Sequence, residues 1–235
     1  RYAEKTGRHL VIDSEDRLFA RAVFDCLEPR GATVSVTVNP SPVFVQHLNG
    51  LTAFPQGLTG RIDNYQAHRQ QGADPSTRFD SQTGEELTFD FRRDYTERVL
   101  VHHREGGGTA SVQAIRRFRL KRDVAEMIAT RLSSLPGNYY SAHIRSTDYS
   151  TDYQDFLRRL RNKKLKIPLL VCSDNDAVLS AARDVLGKTS VLALSGQSNP
   201  ANQPLHLAEM NPNARSASDN AIQLLTEIVA MARSD

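Results

Sequence analysis

The hydrophobic positions of the chain change rhythm near residue 135. Beyond Pro136-Gly137, a strong turn signal, short apolar runs alternate with amphipathic stretches. Runs at 139–144, 167–172 and 191–194 predict buried strands, and the periodic segments 153–160 and 177–186 predict helices between them. At the end of the chain Ala221, Leu224, Leu225, Ile228, Val229 and Ala232 recur at spacings of three and four. That pattern predicts a terminal helix capped at Ser218-Asp219. Strands alternating with helices imply right-handed crossovers and a parallel sheet with helices on both faces.

Before residue 135 the pattern is less regular. Residues 1–7 read as the basic end of a helix stopped by Gly7, and the apolar run Leu10-Val11-Ile12 follows, ending at Asp13. Short strands are predicted at 33–38, 87–91 and 98–103, with a helix at 124–135. Residues 60–84 hold few apolar positions and predict a long loop or insertion. The division that follows is an N-terminal domain, 1–134, and a C-terminal domain, 135–235. A helix end before the first strand, and a last helix with no strand after it, lead us to expect a fragment whose termini are incomplete.

Composition narrows the classes. The 235 residues are 39% hydrophobic and 24% charged, a soluble globular balance. Thirty basic against 27 acidic side chains leave 30 − 27 = +3. That excess is too small to mark a nucleic-acid binder, so no nucleic-acid partner is expected. No apolar run approaches the ~18 residues of a membrane span, so we expect no membrane contact in this segment and a cytoplasmic location. Cys26 and Cys172 form no CxxC pair, which argues against a disulfide framework or structural zinc; Cys172, inside an apolar run, is assigned to the core. There is no GxGxxG and no GxxxxGK[ST], which argues against a standard dinucleotide fold or P-loop NTPase. Ser195-Gly-Gln-Ser lacks the GxSxG spelling of a hydrolase elbow. Adjacent His102 and His103 point to opposite faces of a strand and make a poor chelating pair. The basic runs 116–122 and 158–166 hold few aromatics and predict solvated faces.

In parallel sheets ligands bind at the C-terminal strand ends, and two of these are polar. The first continues as Ser141-Ala-His143-Ile144-Arg145-Ser146-Thr147-Asp148, where His143 and Arg145, two apart, share a face of an extended segment. Arg145 offers a planar fork of donors to phosphate oxygens; its structural alternative is an ion pair with Asp148 that ties down a loop. The next strand ends Ser173-Asp174-Asn175. A carboxylate there suits the two N–H donors of a guanine edge or a ribose hydroxyl, while helix capping is the competing use. Asp174-x-Asp176 has a DxD spelling, but Asp176 falls in a first helical turn, where it favours the macrodipole, so no metal site is predicted.

The motif His143-x-Arg145-x-x-Asp148, followed by a strand ending Ser173-Asp174-Asn175, resembles the donor-binding half of the fucosyltransferases that share a GT-B fold. These are the α1,6-fucosyltransferases of nodulation and N-glycan core modification, and the protein O-fucosyltransferases. Residues 6–13 are also similar to their first visible strand. The resemblance implies a GT-B-like α/β fold of two Rossmann-like domains with parallel sheets, the N-terminal one on the acceptor side. It implies transfer of fucose from GDP-fucose to a glycan or protein hydroxyl, with inversion, no metal, and no cofactor beyond the donor. By the same resemblance Arg145 holds the β-phosphate, His143 lies near the nucleoside, Asp174 reads guanine, and Asp148 and Ser173 complete the donor site. The α1,6 enzymes carry a second Arg where this chain has Ser146, which leaves the linkage open. Five residues beyond the motif's Asp, where they place a base, stands Tyr153; Asp152, one residue earlier, is the substitute. A non-catalytic relative that binds a nucleotide or glycan is the alternative function.

Overall fold

The computed structural model describes residues 2–14, 18–31, 33–104, 113, 115–146, 151–194 and 216–235. In chain order the elements are α1 (Tyr2–Thr6), β1 (Leu10–Ile12), α2 (Leu18–Asp25), β2 (Leu27–Pro29), β3 (Val36–Val38), α3 (Pro42–Leu48), β4 (Ala53–Phe54), β5 (Ala67–His68), β6 (Phe79–Asp80), β7 (Val99–Leu100) and β8 (Phe118–Leu120). They continue as α4 (Arg122–Leu132), β9 (Tyr140–Ile144), α5 (Tyr153–Lys163), β10 (Leu169–Ser173), α6 (Asp176–Leu186), β11 (Val191–Leu192) and α7 (Ala217–Met231). The chain forms two compact units, one of Arg1–Asp13 with Pro29–Arg119, the other of Ser14–Glu28 with Leu120–Asp235.

This division corrects the boundary predicted at 134–135. Helix α4 belongs to the second unit because its apolar face, Val124, Ile128 and Leu132, is buried in one cluster with Tyr139, Leu170 and Leu225. Helix α2 joins the same cluster through Ala22, and Cys26, just past its end, joins it too. A helix goes where its apolar stripe is covered, and chain order does not say which sheet covers it.

The second unit is a three-stranded parallel sheet, in the order β11-β10-β9, with helices on both faces. Alternation along β10 shows the construction. Leu170 and Cys172 enter the cluster of α2, α4 and α7, whereas Leu169 and Val171 enter a second cluster with Leu157 of α5 and Val178 and Ala182 of α6. All five β10 residues are buried, as expected of a central parallel strand. The predicted elements of this half are all present with small shifts at their ends. The terminal helix starts earlier than predicted: Ser216 is the cap, its Oγ accepting the Asp219 N–H at 3.1 Å.

The first unit is assembled from shorter pieces. β1 pairs with β3 and β4 with β7, both parallel, and β5 and β6 form an antiparallel pair. Its aliphatic core is small, centred on Ala53, Leu58, Ile62 and Leu87. Gly7, at φ +65°, stops α1 as predicted. The strand predicted at 33–38 shrinks to β3 and that at 98–103 to β7, while 87–91 contains no strand. The polar stretch 60–84 is ordered by β5, β6 and a buried ion pair: Asp80 accepts from Arg61, from the Thr83 N–H at 2.9 Å and from the Thr83 hydroxyl at 2.8 Å. A charge pair with this many donors replaces the apolar contacts that the segment lacks.

Candidate functional site at the strand ends

The C-terminal edge of the second unit's sheet collects the polar groups. Register places His143 opposite Cys172 and Ile144 opposite Ser173, so β9 and β10 end side by side. His143 is exposed, as is Arg145, one residue past the end of β9. The Arg145 carbonyl accepts a hydrogen bond from the Thr151 hydroxyl at 2.8 Å, which brings the start of α5 back to the strand end. Asp174 reaches across the edge, its Oδ1 accepting the Ser146 N–H at 2.9 Å. Ser173 is buried, and its Oγ accepts the Asn175 N–H at 3.2 Å.

Helix capping is divided among neighbours. Asn175 caps α6 by accepting the Ala177 N–H at 2.8 Å, so neither Ser173 nor Asp174 is the cap. Asp152 caps α5, accepting the Asp155 N–H at 3.0 Å. Asp176 sits in the first turn of α6, where the sequence placed it. Asp148 lies outside the described residues, as do Gly106–108 and the loop at 195–198.

Helices α5 and α6 begin within a few residues of the strand ends. Past the end of α7 the Asp235 N–H donates to the Tyr139 carbonyl, and the charge of Glu227 bears on the thiol of Cys172. The N-terminal ends carry the positive pole of each helix dipole. The first turns of α5 and α6 already hold Asp155 and Asp176, which offset part of that field. Among the described residues the exposed guanidinium at the end of β9 is Arg145.

Sequence reasoning missed the Ser146 N–H, which Asp174 uses, and the tie from Thr151 to Arg145. Both are contacts of backbone groups, which leave no mark on residue type. Cys172 is buried as predicted; desolvation, then the charge of Glu227, raises its pKa well above the ordinary thiol range. His102 and His103 lie beyond the end of β7 rather than on a strand, and they bond to different partners, Thr88 at 2.7 Å and Tyr65 at 3.1 Å respectively. The described basic residues of 116–122 and 158–166 are exposed. Among the described residues no group of three or more His, Cys, Asp or Glu side chains is placed to hold a metal ion, and no helix is long and apolar enough to cross a membrane.

The α/β architecture with parallel sheets is GT-B-like in fold. Comparison with solved structures gives that fold a particular form. The chain is similar to the NodZ α-1,6-fucosyltransferase soaked with GDP-fucose, with a TM-score of 0.55 and 16% identity over 99% of this chain and 78% of that one. The fucosyltransferase NodZ from Bradyrhizobium gives the same values. Its selenomethionine form gives a TM-score of 0.54 and 17% identity over 99% and 77%. No family model matches the sequence, and no curated protein does. The fold is fucosyltransferase-like; at this identity the likeness speaks for the fold alone.

Proposed function

We propose that the protein is a glycosyltransferase that moves fucose from GDP-fucose to a hydroxyl of a glycan or protein, with inversion and without a metal ion. The observation that carries this reading is Arg145, exposed at the end of a parallel strand, beside a second strand end that Asp174 ties to it through Ser146. The soak of the NodZ neighbour with GDP-fucose supports the choice of donor.

The chemistry asks little of the protein beyond placing charge. A departing fucosyl group develops oxocarbenium character, and negative charge grows on the diphosphate. A guanidinium fork next to helix N-termini stabilises that charge without reorganising during the reaction. The Asp174–Ser146 hydrogen bond holds the backbone that bears Arg145. A carboxylate takes the acceptor proton if it reaches the hydroxyl; Asp152 has that role in this reading, and would share it with the α5 cap. That double duty favours, as the second reading, a relative that binds nucleotide without transferring sugar.

Replacing Arg145 decides. Arg145→Ala should lower kcat for GDP-fucose turnover by about two to three orders of magnitude, the scale of one preorganised donor. Lys at this position should rescue only part, because a point charge cannot reproduce the fork. Near-normal turnover in a folded Arg145→Ala protein rules out this role. GDP binding with no turnover in the parent protein selects the second reading, and loss of activity in EDTA, restored by Mn²⁺, rules out the metal-free mechanism.

A further inference from the structure

Helix α1 and the β1–β3 pair border a cavity of about 780 Å³ inside the first unit, within the ~300–1,000 Å³ range of small-molecule sites. Leu10 and Val36, partners in the β1–β3 register, line it from the strands, and Tyr2 and Ala3 line it from α1. Pro29 and Phe118 add to the apolar lining. The polar atoms of α1 here are already engaged. The Tyr2 hydroxyl donates to the Arg93 carbonyl at 3.0 Å, and the Ala3 carbonyl accepts the Arg8 N–H at 2.9 Å. Such a wall offers a ligand apolar surface rather than hydrogen bonds, and being held in place it costs little to order on binding.

The charged lining is unbalanced. Lys5, Arg30 and Arg117 share the cavity with a single acid, Glu4. Arg117 reaches Glu4 at 3.2 Å. Among the described residues the side chains of Lys5 and Arg30 have no ion-pair partner. The Arg30 N–H donates to the Arg117 carbonyl at 2.7 Å, which ties the two arginines together through the backbone. One carboxylate among three cations leaves a surplus of positive charge that a second carboxylate would neutralise, and a guanidinium fork suits its two oxygens.

The two halves of the lining ask for two halves of a ligand. A sugar or nucleotide would bring hydroxyls against aliphatic side chains that cannot pair with them, and an alkyl ammonium would meet surplus like charge. We propose that the cavity binds an amphipathic monoanion, an alkyl carboxylate whose chain fills the apolar lining and whose head meets Arg30 and Lys5. Such a ligand offers no hydroxyl to a sugar donor, so the site does not depend on the fucosyl-transfer reading above.

Titration calorimetry of the full chain with decanoate, kept below its micelle-forming concentration, tests the site. Hexanoate, decanol and decyltrimethylammonium serve as the short, neutral and cationic counterparts. Decanoate should bind on the order of a hundredfold more tightly than hexanoate, because four more methylenes leave water. It should bind about tenfold more tightly than decanol, the scale of one hydrogen bond to a charged group, and the cationic chain should bind most weakly. Arg30→Gln should remove the advantage of decanoate over decanol and leave the dependence on chain length. Ala3→Phe, which places a ring in the cavity, should abolish binding of both, with circular dichroism showing that each variant is folded. Equal affinity for decanoate and hexanoate, or undiminished binding by a folded Ala3→Phe protein, overturns the cavity as the site. Equal or tighter binding of decanol or decyltrimethylammonium by the parent protein, or an unchanged preference for decanoate in Arg30→Gln, overturns the carboxylate assignment.

Discussion

The two units solve the same problem with different materials. In the second unit a parallel sheet buries aliphatic side chains on both faces, and β9 and β10 have the alternation that such a sheet requires. In the first unit strands of two or three residues enclose a small aliphatic core, and order comes from a buried ion pair and a cluster of rings. The aliphatic sheet is local and repetitive, so its stability is spread over many interchangeable contacts. The first unit concentrates stability in a few directional contacts, each with a specific partner.

The sharpest test of this contrast is a pair of core substitutions. Leu170→Ala, at a position with no solvent exposure, should cost about 2–5 kcal/mol through lost burial and a cavity. In the first unit the comparable loss should come from a polar residue: Asp80→Ala removes the partner of Arg61 and should cost about 3 kcal/mol. Denaturant unfolding followed by hydrogen exchange assigns each loss to its unit. A negligible effect of Asp80→Ala, with a large one for Leu58→Ala, would mean that the first unit is held like the second.

A pH series should separate the units next. For Asp80, burial pushes the carboxyl upward but hydrogen bonds from Thr83 and Arg61 outweigh it, and its folded pKa is lowered. A depressed acid contributes stability in full above its unfolded value near ~4, lost as pH falls through the folded value. The second unit holds the opposite cases. Desolvation raises the pKa of Cys172, Cys26 and Tyr139. Their contribution is full below the unfolded values, ~8.5 for thiols and ~10 for tyrosine, and is lost as pH rises from there through the raised folded values. Exchange protection should therefore fail first in the first unit on the acid side and in the second on the alkaline side. The reverse order would contradict the assignment of these groups.

The smallest effect belongs to a cap. Ser216→Ala removes the acceptor for the Asp219 N–H and should cost about 1 kcal/mol, seen as faster exchange in the first turn of α7. The equivalent change at the predicted cap, Ser218→Ala, should have a smaller effect, since Ser218 lies inside the helix.

Legibility followed the same division. Leu169 to Cys172 form an apolar run whose type is dictated locally, and Pro136-Gly137 marks the preceding turn, so every strand and helix of the second half was predictable. The segment 87–91 has an apolar rhythm too, yet Phe89 and Phe91 serve a ring cluster rather than a strand. Their ring partner Tyr2 lies far away in sequence. The fork donor and the carboxylates at the strand ends could be picked out by residue type. Which of them caps a helix could not, because Asn175, Asp174 and Ser173 have similar capping power and only geometry separates them.

By itself the sequence determined the α/β class, the parallel order of the second sheet and the edge at which Arg145 and Asp174 emerge. These follow from periodicity and from the handedness of crossovers, which act over one or two elements. Tertiary structure alone decided that α2 and α4 leave the first unit, that Asp80 pairs with Arg61, and that Asp174 holds the Ser146 N–H. Each of these depends on which distant surface covers an apolar stripe or satisfies a buried polar group, and that choice is made by the whole packed chain at once.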